Sequence, residues 1–177
     1  YIQKFENNMQ VINPPKITKC SSKPYTKITL IPDLERFGMK KWTPEMVQII
    51  QKRAYDLSAC CGLQVDVQFN DKSITCKNFD KFMNLFEEPN TNGKYFEIIN
   101  ERWEVGVSIS DDGFKQVSFV NGVCTIKGGK HVDYITNQIS KKICEYIKKK
   151  EKITVKTAHV KENLMIFVKS LIVNPSF

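Results

Sequence analysis

A chain of 177 residues with 41% hydrophobic content is long enough to bury a sizeable core, and with no unbroken apolar run of about 18 residues it excludes a membrane-spanning helix. Its 27 Lys and Arg against 19 Asp and Glu leave a formal charge of +8, which favours a polyanionic partner, nucleic acid or an acidic membrane surface, over an acidic small substrate. Arginine stands only at Arg36, Arg53 and Arg102. Base-edge reading and bidentate phosphate gripping prefer the guanidinium fork, so lysine-dominated charge suits sequence-independent phosphate contact, with a merely solvated basic surface as the competing reading. Cys20, Cys60, Cys61, Cys76, Cys124 and Cys144 form no C-x-x-C pair, and with two histidines for company they indicate neither a zinc site nor a disulfide scaffold. They read as reduced intracellular thiols. Tyr1-Ile2-Gln3-Lys4 has neither an initiator Met nor an apolar block, which predicts a piece cut from a longer chain rather than a signal peptide.

Residues 1 to 24 are polar, broken by Pro14, Pro15 and Pro24 and without period, and they read as an extended lead-in. "TKITLIPD", Thr26 to Asp33, is β-rich and predicts a strand closed by Pro32-Asp33. Thr43-Pro44 then supplies an N-cap followed by proline at the first helical position. Behind it Met46, Val47, Ile50, Ala54 and Leu57 recur at three- and four-residue spacing, with Gly62 as the stop. Leu63, Val65, Val67 and Phe69 alternate with polar residues as a half-buried strand, and Asn70-Asp71 turns the chain into a short partner near Ile74.

Phe79, Phe82, Met83 and Phe86 predict a short amphipathic helix capped by Asn78. "EEPNTNG", Glu87 to Gly93, reads as a loop. After it Trp103, Val105, Val107 and Ile109 share a strand face, Asp111-Asp112-Gly113 turns, and "KQVSFVNGV" returns as the second arm of a hairpin. Val132, Ile135, Ile139, Ile143 and Ile147 mark a helix of about five turns, and Leu164 to Val173 is apolar and β-branched enough for a buried strand. Mixed strands and helices with an antiparallel pair place the chain in the α+β class, with a boundary near Lys77.

No nucleophile–base pair stands out. His131 and His159 sit beside no Ser or Cys in a recognisable motif, Asp111-Asp112 is a turn rather than a carboxylate couple, and no G-x-x-x-x-G-K-[ST] or G-x-G-x-x-G loop is present. "TIKGGKHVDY", Thr125 to Tyr134, sets two glycines between Lys127 and Lys130 at a helix mouth, where free N–H groups can face an anion; equally, Gly128 and Gly129 can serve only to turn the chain, with Asp133 answering the dipole. At the other end of that helix stand Lys148, Lys149 and Lys150. If the helix continues they point about 100° apart, and a helix C-terminus favours cations with no ligand at all. Glu145 and Lys149 are spaced for an i, i+4 pair. These effects account for one or two lysines but not for three in a row followed by Lys152, whose mutual repulsion a polyanion would relieve.

"ITLIPDLERFGM", "QKRAYDLSA", "RWEVGVSISDDGFKQVSFVNGVCTIKGGKHVDYITNQI" and "MIFVKSLIVNPSF" resemble, in order and spacing, the ATPase-side part of eukaryotic type II DNA topoisomerases over essentially the whole chain. The resemblance implies that residues 1–77 are the C-terminal part of a GHKL-type α/β sandwich, the nucleotide-binding domain shared with gyrase, the Hsp90 chaperones and the MutL repair proteins. It implies that residues 78–177 are most of a transducer domain like domain 2 of ribosomal protein S5, with helices on one side of a sheet. The parent enzyme so implied is a nuclear homodimer, not associated with membranes. Using ATP and Mg, it passes one DNA duplex through a transient break in another. The resemblance places the residues that hold ATP and Mg, and those that cleave DNA, outside residues 1–177, so no catalytic, ATP-binding or metal-binding residue is assigned here. A lysine-rich DNA-contacting loop of the family falls on Lys148, Lys149 and Lys150, with Lys127 and Lys130 as weaker candidates. "EKITVK" behind it is shorter than the family pattern and lacks its glycines. The alternatives are a passive basic S5-like nucleic-acid-binding domain without ATP coupling, and the middle region of a chaperone or repair ATPase, against which the "KGGKHVDY" block argues.

Overall fold

The computed structural model describes residues 1–86 and 93–176, and the chain divides into two compact units, Tyr1–Lys41 and Trp42–Phe177. In the first unit β1 (Phe5–Glu6) and β2 (Val11–Ile12) pair antiparallel, joined by a turn in which Asn7, Asn8 and Met9 all take positive φ. Ile2 and Lys16 extend the pairing by exchanging both backbone hydrogen bonds, at 2.9 and 2.8 Å. The lead-in expected to be irregular therefore contains a short hairpin. The strand expected at Thr26–Asp33 does not form: Ile28, Leu30 and Ile31 are 87%, 76% and 90% exposed, and no ladder partner lies beside them among the described residues. β-propensity is realised only where a neighbouring strand and a buried face exist, and here both are missing.

In the second unit Thr43 Oγ1 accepts from the Met46 amide at 3.4 Å and starts α1 (Pro44–Cys61), which Gly62 ends at φ +76°. Of its expected stripe only Ala54 is buried, with Met46 and Leu57 half-buried. Ala54, Asp56, Ser58 and Ala59 face the core, whereas Val47, Ile49 and Ile50 stay exposed. The strand expected from Leu63 shrinks to β3 (Gln68–Phe69), which pairs with β4 (Lys72–Ser73) across Asn70-Asp71, both at positive φ as a two-residue hairpin turn demands. α2 (Phe79–Met83) follows, capped by Asn78 Oδ1, which accepts from Lys81 N at 2.8 Å. Phe79, Phe82 and Met83 are buried as their spacing predicts. The loop expected at Glu87 to Gly93 lies, Gly93 excepted, outside the described residues.

A five-stranded sheet forms the centre. Its strands are β5 (Tyr95–Asn100), β6 (Trp103–Ile109), β7 (Lys115–Val120), β8 (Val123–Cys124) and β9 (Leu164–Ser170), in the order β5-β6-β9-β7-β8. This corrects the hairpin expected between Trp103–Ile109 and Lys115–Val120. β6 pairs instead with β5 and β9, and β9 lies between β6 and β7, antiparallel to one and parallel to the other. Alternating Leu164, Ile166 and Val168 against Met165 and Phe167, β9 has apolar side chains for both faces and takes the position buried on both. Ser110–Phe114 bridges the resulting gap, held by Ser110 Oγ donating to Gly113 O at 2.6 Å. Two real hairpins flank this arrangement, β5–β6 through Glu101-Arg102 and β7–β8 through Asn121-Gly122.

A parallel β7–β9 pair needs a crossover, which α3 (Lys130–Glu151) and α4 (Thr157–Glu162) supply. They cover one sheet face through Val132, Ile135 and Val160 on Val105, Leu164, Ile166 and Val168. α1 and α2 cover the other, with Ala54, Ala59, Phe79, Phe82 and Met83 on Phe119 and Phe167. Helices thus lie on both sides of the sheet rather than one. Both faces carry apolar side chains, and each such side chain gains about 1.5–3 kcal/mol when covered.

Candidate nucleic-acid interface

The N-terminal end of α3 is fixed by the sheet beneath it. Gln116 on β7 donates from Nε2 to the carbonyls of Thr125, at 3.2 Å, and Ile126, at 2.9 Å, fixing the strand-to-helix connection. Gly128 and Gly129 turn it at φ +74° and +149°, conformations that side chains with a Cβ rarely adopt. Thr125 Oγ1 lies 3.1 Å from His131 Nε2, so the histidine is part of the joint. Burial holds the His131 imidazole below its ordinary value, with Asp133 opposing. The Gly129 carbonyl accepts from Val132 and Asp133 at 2.9 and 3.1 Å, and Asp133 faces Lys161 at 3.6 Å. A carboxylate thus already answers the positive end of the helix. Lys127 and Lys130 are exposed around this joint.

At the far end the helix continues through Lys148, Lys149 and Lys150 to Glu151 and stops at Lys152, whose φ of +59° is left-handed. The three lysines therefore fan out at about 100° intervals instead of sharing one surface. Lys150 Nζ sits 5.6 Å from the Tyr146 ring centroid. Glu145 reaches Lys142 at 3.4 Å rather than the anticipated Lys149. In "EKITVK", Val155 is half-buried against the α3–α4 core, which ties the connection down. The 22 residues of α3 span about 33 Å at 1.5 Å each, so the structure keeps the Lys127–Lys130 group and the Lys148–Lys150 group apart. Sequence reasoning missed the exposed Lys141 and Lys142 between them. Their helical spacing from the named lysines was the signal available.

No arrangement for covalent catalysis accompanies this surface among the described residues. Asp56, 3% exposed, takes Lys52 on Oδ2 at 2.7 Å, and Arg53 donates to the Gly122 carbonyl at 2.8 Å. The first contact lies within α1, and the second ties α1 to the β7–β8 turn. Burial pushes the Cys60 thiol up to about 12 and raises Cys76 and Cys124, which keeps these sulfurs protonated and unreactive. No group of three or more His, Cys, Asp or Glu that could hold a metal ion occurs among the described residues. No helix among the described residues is long and apolar enough to cross a membrane.

A mixed five-stranded sheet with helices on both faces, crossed by a long lysine-bearing helix, defines the class: an α+β domain. The family model described as DNA gyrase B matches residues 62–177, and the chain belongs to that family. It is 42% identical over 195 aligned residues to DNA topoisomerase 2 of Saccharomyces cerevisiae, an alignment that covers 100% of this chain and 14% of the relative. The crystal structure of the ATPase region of Saccharomyces cerevisiae topoisomerase II superposes with a TM-score of 0.89 at 43% identity, over 99% of this chain and 45% of that one. The ATPase and transducer domains of DNA topoisomerase II from Balamuthia mandrillaris superpose at 0.77 with 29% identity, over 99% and 46%. The fold class expected from the resemblance, the end of a GHKL-type domain followed by a transducer, therefore stands.

Proposed function

We propose that this chain is an energy-coupling segment of an ATP-dependent type II DNA topoisomerase that acts in the nucleus as a homodimer. The observation that carries the reading is similarity along the whole chain, 42% in sequence and 0.89 in TM-score, to topoisomerase II from yeast. The chain spans 14% of the length of that relative, so strand passage, ATP turnover and Mg binding belong in this reading to the larger enzyme. Residues 1–77 form the end of the nucleotide-binding domain and residues 78–177 the transducer. The compact division at Lys41 differs from that boundary because α1 packs on the transducer sheet, a contact that suits passing a nucleotide-driven movement onward. Val47, Ile49, Ile50 and the Ile28–Ile31 run are exposed here and suit cover by the remainder of such a domain.

Lys148, Lys149 and Lys150 contact duplex DNA through its phosphates without sequence preference, with Lys127 and Lys130 secondary. Their exposure and the net charge of +8 support this. Two measurements test the reading. The first replaces the matched segment of the yeast enzyme by this chain, and the expected result is ATP-dependent separation of catenated DNA circles. A chimaera that turns over ATP at the parental rate but separates none would refute the coupling role. The second compares duplex affinity against salt for the chain and its Lys148→Ala, Lys149→Ala, Lys150→Ala triple variant. The slope of log K against log salt should fall by up to about 2.7, roughly 0.9 per phosphate. An unchanged slope would point to the reading of a merely solvated basic surface, in which these residues only finish a helix.

A further inference from the structure

The lysines that α3 aligns are not the ones adjacent in sequence. Each residue of the helix advances about 100° around its axis. Val132, Ile135, Thr136 and Ser140 define the buried side. Lys141 is eleven residues beyond Lys130 and Lys148 is eighteen beyond it, which at 3.6 residues per turn is about three and about five complete turns. All three therefore return to one line, opposite the buried side, and all three are exposed. Lys130 and Lys148 are about 27 Å apart along the axis, with Lys141 at about 16 Å. Tyr134, 63% exposed, lies within the same strip.

The neighbouring acids do not neutralise this line. Glu145 is engaged by Lys142 at 3.4 Å and Asp133 by Lys161 at 3.6 Å, whereas Lys130, Lys141 and Lys148 have no ion-pair partner among the described residues. Lys150 follows Lys148 by two residues, points about 200° away from it and rests over Tyr146. It belongs to the run in sequence and not to the line in space.

We propose that the outer face of α3 is a duplex-DNA surface engaged lengthwise by Lys130, Lys141 and Lys148, with Lys149 at its margin, and that Lys141 is a phosphate contact. This rests on the DNA-binding reading given above and revises it in one respect: the contact runs along the helix through Lys141 and leaves out Lys150, which lies over Tyr146. A straight rod of about 27 Å matches a stiff polyanion of regular charge spacing, and at about 3.4 Å per base pair it covers about eight base pairs. Lysine lacks the fork that reads base edges, so the contact is sequence-independent. An acidic protein partner is disfavoured because the strip offers one exposed aromatic and no apolar centre from which to exclude water.

The test is duplex affinity of the full chain, measured by fluorescence anisotropy across a salt series on a hairpin-capped duplex of about 16 base pairs, with circular dichroism showing helix content retained. Lys141→Ala should lower the salt slope by about 0.9, equivalent to about a threefold change in affinity across a fourfold change in salt, and Lys150→Ala should leave it in place. Lys130→Ala and Lys148→Ala should lose slope additively on that duplex but not on one of about five base pairs, which is too short for both ends. If Lys150→Ala lowers the slope and Lys141→Ala does not, the lysines act as a terminal cluster and the line is wrong. If no variant moves the slope, the triple variant included, the DNA-binding reading itself falls.

Discussion

Gly106 gives the sharpest test of how the sheet and its helices fit. It lies within β6 and carries no positive φ, so space rather than backbone conformation requires glycine there. A Cβ at this position would overlap Sδ and Cε of Met83 and would lie 3.3 Å from Cβ of Phe167 on the neighbouring strand. Met83, 1% exposed, is enclosed in the same cluster as Phe79, Phe82 and Phe167 and has little room to withdraw, while the Phe167 Cβ is fixed to the backbone. Overpacking of this kind costs about 1–3 kcal/mol. For a unit of this size that corresponds to a fall in Tm of about 4–12 °C for Gly106→Ala. Thermal unfolding followed by circular dichroism measures it. Met83→Ala alone should destabilise, by about 2–5 kcal/mol through the void it leaves, and the two changes together should cost at least about 1 kcal/mol less than their sum. Strictly additive losses, or a Gly106→Ala protein as stable as the original, would refute the claim that Met83 occupies the space a side chain at residue 106 needs.

Two further outcomes follow from burial. Because burial holds His131 below its ordinary value of 6.5, the folded protein binds that proton less readily than the unfolded chain; stability is full above about pH 6.5 and declines as the pH drops through it. Replacing His131 with Gln should therefore make the melting temperature less sensitive to acidification between about pH 7.5 and 5.5, and an unchanged or steeper dependence would exclude His131 as a contributor. In hydrogen exchange, amides of residues 25–33 should exchange near unprotected rates and those of β9 most slowly, with the fall in protection at residue 41 rather than 77. Protection of Ile28–Ile31 comparable to β9 would show a ladder partner that is missing among the described residues.

Much of this protein was decided by neighbours in sequence. Thr43-Pro44 caps α1, Asn78 caps α2, and the periods of Phe79–Met83 and Val132–Ile147 place two helices, because capping and a one-sided stripe act within a turn or two of chain. The lysines at Lys127, Lys130 and Lys148–Lys150 and their exposure were likewise legible. The β7–β8 turn also had a local sign, Asn121-Gly122, both at positive φ, although the expected partnering of Trp103–Ile109 with Lys115–Val120 obscured it. Propensity could not supply partners. Thr26–Asp33 is as β-rich as several true strands and forms none, whereas β9 enters between β6 and β7 from some 45 residues further along the chain. A strand's place depends on which edge is free and which faces are covered, and those conditions exist only once distant segments have met. The same holds for the basic surface: the sequence put three lysines side by side, and the helix, by continuing to Glu151, turned one of them onto Tyr146 and brought Lys141 into line with Lys130 and Lys148.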